Sequence, residues 1–128
     1  MADAGKMIVL NVAGGCGVTL PAASGTGAQY NFFVGTAITS GAYVIRVADN
    51  TDTMKGIVHM IDFDDDSHTT VTAKDTDDTI TLNGGTTGGA AHGDTITLTD
   101  IAANLYVVSG NIIVAAGSNP GDPFSATV

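Results

Sequence analysis

The chain has no tryptophan and no glutamate, a single cysteine, three prolines and only four basic residues. Each shortage excludes something. With Cys16 alone, no disulfide can form within the chain, so cross-links cannot stabilise it. With only Lys6, Arg46, Lys55 and Lys74 against thirteen aspartates, the formal charge is -9, and no cluster of cations exists to neutralise phosphates. Nucleic acid is therefore excluded as a partner on charge, and anionic lipid equally. No apolar run approaches the ~20 residues that cross a bilayer, and residues 1–6 lack the basic lead of a signal peptide, so synthesis in a cytoplasm is expected. Aromatics are 5% of the chain, which predicts a core of Val, Ile, Leu, Ala and Met. Acidity supplied by aspartate without glutamate fits a loop-rich β protein, because aspartate favours turns and glutamate favours helices. The aspartates read mostly as turn markers.

What is present is β texture. A near-copied pair, Asp78-Thr-Ile-Thr-Leu82 and Asp94-Thr-Ile-Thr-Leu98, alternates apolar residues with threonine, the period of strands buried on one face. The two copies read as strands sharing a face, joined by a glycine-rich hairpin connection over 83–93. Further strands are predicted at 6–12, 18–20, 29–34, 42–47, 55–61, 69–73, 105–108 and 112–115, with 124–128 a candidate final strand, a turn at 109–111 and at most one helical turn at 100–104. The 128 residues fit a single domain, 1–128, with a short N-terminal arm over about 1–6. The fold class expected is all-β: one compact antiparallel β-sandwich or β-barrel of nine or ten short strands. Such a sheet has edges, and with so few lysines to guard them they call for closure or for pairing with another subunit.

Chemistry is sparse. Asp62, Asp64 and Asp66 occupy the first, third and fifth positions of an EF-hand-like loop, but Ser67 stands where the turn glycine belongs and Ala73 where the bidentate glutamate belongs. A solvated acidic turn is the reading, with these three as a weak cation candidate and no metal or cofactor predicted. His59, His68 and His92 lack zinc-site spacing, Cys16 has no neighbouring base, and no nucleophile elbow is present. No catalytic residues are assigned and no enzyme is expected. Two segments without local structure signals are the candidate partner-binding elements: Met1, Ala2, Asp3, Ala4, Gly5 and Lys6, and the loop glycines Gly84, Gly85, Gly88 and Gly89.

Several phrases occur together: Thr19-Leu-Pro-Ala-Ala-Ser-Gly-Thr-Gly-Ala28, Tyr30-Asn-Phe-Phe-Val-Gly35, Val44-Ile-Arg-Val-Ala-Asp49, Asp52-Thr-Met-Lys-Gly56, Asp78-Thr-Ile-Thr-Leu-Asn-Gly84 and Pro123-Phe-Ser-Ala-Thr-Val128. From about Val18 onward this texture resembles the small virion structural proteins of tailed bacteriophages, in style the capsid decoration, or cement, class. The resemblance implies a protein on the outer capsid surface, bound to the major capsid protein as a homotrimer at three-fold or quasi-three-fold positions and stabilising the head against DNA pressure. It assigns no binding residue. A head-fibre, tail or baseplate component that binds a host surface or glycan is the alternative, and a hydrolase is a distant third.

Overall fold

The structure, a computed structural model, describes residues 3–64 and 67–128. Ten strands are found among them: β1 (Met7–Leu10), β2 (Cys16–Thr19), β3 (Gln29–Val34), β4 (Tyr43–Arg46), β5 (Thr53–Asp62), β6 (His68–Thr72), β7 (Thr79–Leu82), β8 (Thr95–Ala102), β9 (Leu105–Val114) and β10 (Phe124–Ser125). They form two sheets, one of six strands in the order β1-β3-β8-β9-β5-β6 and one of four in the order β10-β7-β4-β2. The fold is an all-β sandwich rather than a closed barrel, since each sheet keeps two edges. Period-two alternation explains the layering. Ile96, Leu98 and Asp100 of β8 point inward, while Thr95, Thr97 and Thr99 point out.

The sheets are mixed rather than purely antiparallel. Five ladders are antiparallel, but β1 runs parallel to β3, β2 to β4, and β5 to β9. The first five strands alternate between the two sheets. A strand that crosses over and returns reverses twice, and so comes back parallel to its predecessor.

The same crossing separates the twin strands. β7 lies in the four-stranded sheet and β8 in the six-stranded one, so they are not partners in a hairpin. Ile80 and Leu82 meet the same core as Ile96 and Leu98, from the opposite side, with all four nearly or fully buried. Residues 83–93 are the passage between sheets. The expected turn at 109–111 is also absent, because β9 runs straight through it. Gly110 sits mid-strand where a Cβ would lie 2.5 Å from the Thr95 carbonyl oxygen, so the glycine marks close backbone approach and not reversal. Nor does a helical turn form at 100–104. β8 continues to Ala102 with an irregularity between Asp100 and Ala102, and Asn104 takes a positive φ of 63°.

The core is largely the Val, Ile, Leu, Ala and Met one expected, with five aromatic side chains packed into it. Tyr43, Tyr106 and Phe32 are among the largest fully buried side chains, joined by Tyr30 and Phe124. Five of the seven aromatics are buried there, while Phe33 and Phe63 are exposed. Tyr106 donates its hydroxyl to the Pro21 carbonyl at 2.7 Å and meets Tyr30 edge-on at 6.4 Å between ring centroids. Burial raises the Tyr106 hydroxyl well above its ordinary pKa, so it stays a donor. Tyr43 donates to the Thr36 carbonyl at 2.7 Å and accepts from the Val12 N–H at 3.0 Å, tying two connections to the core. Tyr43→Phe removes both bonds without changing ring packing, and a loss of ~1–3 kcal/mol is expected in urea denaturation.

Candidate functional site

The six-stranded sheet presents one broad outer face. Residues directly opposite on paired strands share a face, so the ladder registers give its rows. One row runs Val9, Phe33, Thr95, Asn111, His59 and Thr70, and the next runs Met7, Asn31, Thr97, Ser109, Ile57 and Thr72. A shorter third row holds Gln29, Thr99, Val107 and Lys55. Of these side chains only Lys55 is formally charged at neutral pH, and none is a carboxylate. Exposed apolar side chains concentrate here, with Met7 58% and Val9 52% exposed and Phe33, Ile57 and Ile61 less so. Six strands ~4.8 Å apart span roughly 25–30 Å, and a ten-residue strand runs about 33 Å. That footprint is on the order of the ~800 Å² per partner of a stable interface.

The carboxylates are elsewhere, and many are not on the surface at all. Asp52, Asp62, Asp77, Asp78, Asp94 and Asp100 are buried, and each accepts at least one backbone N–H: from Ala23, Asp64, Lys74, Thr127, Gly89 and Ser24 respectively. They staple loops to the sandwich. Their role extends beyond that of the exposed turn markers expected from sequence, although the i to i+2 bond from Asp64 N–H to Asp62 is a turn of that kind. Burial raises the Asp94 carboxyl above the ordinary carboxylate value, against the opposing pull of the Gly89 and Ile113 N–H groups and His92. Asp100 lies on the other side of that balance: burial alone would raise it, but bonds from Gly25, Thr26 and Ser24 hold it below the ordinary value. No sequence pattern distinguishes these aspartates from the exposed ones: Asp62, Asp77 and Asp94 each bind an N–H two to five residues away, as turn aspartates do, whereas Asp52, Asp78 and Asp100 bind groups 29 to 76 residues away.

The residues singled out from sequence fall at separate places. Met1, Ala2 and Asp66 lie outside the described residues. Asp3, Ala4 and Gly5 form a turn, closed by the Lys6 N–H on the Asp3 carbonyl at 3.2 Å and held to β3 by the Gly5 N–H on the Gln29 carbonyl at 2.7 Å. Gly88 and Gly89 are buried, and Gly84 and Gly85 half-buried. The loop is bonded into the fold: Gly84 N–H to the Gly88 carbonyl, Ala115 N–H to that of Gly85, Ile38 N–H to that of Gly89, and Gly89 N–H to Asp94. Its exposed side chains are Asn83 and Thr86. Asp64 is exposed and accepts from the Gly117 N–H at 3.1 Å, whereas Asp62 turns inward, so these two carboxylates serve different bonds. Among the described residues, no group of three or more His, Cys, Asp or Glu is placed to hold a metal ion. Cys16 is a half-buried free thiol in β2 opposite Tyr43.

Two clefts open on the described surface. One of about 170 Å³ opens between the sheets at the β1 and β2 edges, lined by Asp3, Ile8, Val18, Leu20, Tyr30 and Phe32 among others. Its one carboxylate has no second titratable partner in the lining other than Tyr30, so it lacks the acid and base pair that hydrolysis uses. The other, of about 320 Å³, lies on the outer face beside β6 and is lined by His59, Ile61, His68, Thr70, Asn111 and Ile113 with their neighbours. Both are apolar hollows suited to receiving side chains. The sequence hid the outer face because its rows are assembled from strands up to a hundred residues apart; alternating threonines were the only trace of it. Comparison of the chain with protein-family models, with curated proteins and with solved structures gave no match.

Proposed function

We propose that this chain is a non-enzymatic virion structural protein, a capsid decoration protein of a tailed bacteriophage that binds the outer face of the major capsid shell as a trimer at three-fold or quasi-three-fold positions. The observation that carries this reading is the broad outer face, free of carboxylates on a chain of net charge -9. A protein that repels acidic surfaces almost everywhere has one large region where close approach costs little desolvation of charge. That suits adhesion over area. Many modest contacts, multiplied by trimeric valency, then clamp neighbouring shell subunits without any single tight site. The acidity of the remainder suits the outside of a head, away from packaged DNA.

Two measurements test it together. Purified particles should carry this chain in near-equimolar ratio to the dominant shell protein, and a few copies per particle would instead indicate a fibre, tail or baseplate component. The double substitution Ser109→Asp and Asn111→Asp puts two carboxylates at the centre of the face, at exposed positions the core does not use. Particle occupancy should fall at least tenfold while the melting temperature stays within a few degrees. Unchanged occupancy would remove the face from the interface.

A further inference from the structure

β6 is the outermost strand of the larger sheet, paired with β5 on one side and with no described strand on the other. At five residues it is the longest of the four sheet edges, since β1 and β2 have four each and β10 has two. His68, Thr69, Thr70 and Thr72 are exposed and Val71 half-buried. Edges are normally guarded by lysine, proline, a bulge or a covering segment. The run His-Thr-Thr-Val-Thr has no charge and no proline, and its ladder with β5 is unbroken from Ile61 opposite His68 to Ile57 opposite Thr72.

The ladder also fixes which groups the edge offers. At its two ends the Asp62 N–H donates to the Ser67 carbonyl at 2.7 Å and the Ala73 N–H to the Gly56 carbonyl at 3.0 Å. Bonded and non-bonded positions alternate in an antiparallel pair. Thr69 and Val71 therefore turn their main-chain groups toward β5, and His68, Thr70 and Thr72 turn theirs outward. The cleft beside His59, His68 and Thr70 borders this row on the outer face, where alternate side chains of an added strand would fall. At the N-terminal end of β6, the turn from β5 exposes Asp64.

We infer that β6 is a strand-addition site for an extended, uncharged, β-branched segment of a different protein, bearing Lys or Arg at the end that lies beside Asp64. The main chain supplies affinity and the cleft supplies selectivity. Charge complementarity at this end favours a segment whose cationic end meets the exposed Asp64. The inference does not rest on the shell-binding reading, although the cleft lies on the same outer face, and it holds for any protein that offers such a segment.

The probe is a labelled eight-residue peptide of alternating threonine and valine ending in two lysines, titrated with the full chain in fluorescence anisotropy. Saturable binding is expected, weakened at least tenfold when the lysines are replaced by glutamates. Thr70→Pro removes an outward N–H that the fold does not use, at an edge position where proline is tolerated. It should abolish binding with the β circular-dichroism spectrum unchanged, while Thr70→Val should retain binding. Should Thr70→Pro not fold, amide exchange in the unaltered chain decides: the Thr70 and Thr72 N–H groups should exchange at least tenfold more slowly with peptide than without. No binding by the unaltered chain, equal binding by a folded Thr70→Pro variant, or no added protection would overturn the inference. Concentration-dependent dimerisation that Thr70→Pro abolishes would overturn the choice of a foreign segment over a second copy.

Discussion

Asp100→Ala should cost ~3–5 kcal/mol of folding stability, lowering the melting temperature by roughly 10–20 °C. The Asp100 carboxylate is fully buried and accepts four bonds from one connection: the N–H groups of Ser24 at 2.9 Å, Gly25 at 2.6 Å and Thr26 at 3.3 Å, and the Thr26 hydroxyl at 2.8 Å. Hydrogen bonds to an ionised acceptor are each worth ~1.5–3 kcal/mol net, and they share one group, so their sum overstates the loss. Alanine leaves three main-chain donors without their acceptor in a partly buried place. The effect should reach the segment that joins β2 to β3, which differential proteolysis near residues 22–28 would detect.

The same bonds give the prediction a pH signature. Asp100 has a folded pKa below its unfolded value of ~3.9. Its contribution is therefore fully present above that unfolded value and is lost as pH falls through the folded one. Asp94 has the opposite sign: its raised folded pKa gives a contribution complete below the unfolded value and lost as pH rises through the folded one. In urea denaturation, the stability gap between the unaltered chain and Asp100→Asn should be constant near neutrality and shrink as the solution is acidified below about pH 4. A gap that stays level to pH 2 would show that the carboxylate does not gain its stability as an anion.

Gly56→Ala should be still more damaging, ~4 kcal/mol or more, or fail to yield folded protein. Gly56 lies within β5 at φ 135°, a conformation that L side chains rarely adopt. An added Cβ would fall inside the van der Waals boundary of the Val108 carbonyl oxygen on the paired strand β9, and that oxygen is backbone. Relief requires parting β5 from β9, the longest ladder of the sandwich, which spans Thr53 to Asp62. Gly117→Ala provides the contrast. That glycine also has a positive φ, 76°, but no atom lies within 4 Å of its Cβ position, so only the local conformational cost of ~1–2 kcal/mol is expected. Comparable losses from the two substitutions would refute close approach as the reason for Gly56.

How far the sequence could be read depended on whether the deciding interaction was local. β3 lies where the alternation at 29–34 placed it, and β4, β6 and β7 fall within a residue of their expected bounds, because inward apolar and outward polar residues record one-sided burial in each strand. Turn chemistry was less informative. Ser109-Gly-Asn111 has the composition of a reversal, yet the glycine answers to a neighbouring strand. The glycines at 84–89 read as a loose loop because the atoms that bind them belong to Ile38, Asp94 and Ala115.

Composition and periodicity alone determined that this is an all-β chain with one-sided strands, no disulfide within the chain and a strongly acidic charge. These properties follow from residue type or from neighbours two apart, which every strand carries within itself. Only the tertiary structure decided that the twin strands face each other from different sheets, that six aspartates are buried loop staples, that all three tyrosines are buried in the core, and that threonines from distant strands line up as one face without carboxylates. The reason is physical. Strand pairing and burial depend on contacts between residues far apart in the chain, and the pattern within one strand is the same whichever partner it takes.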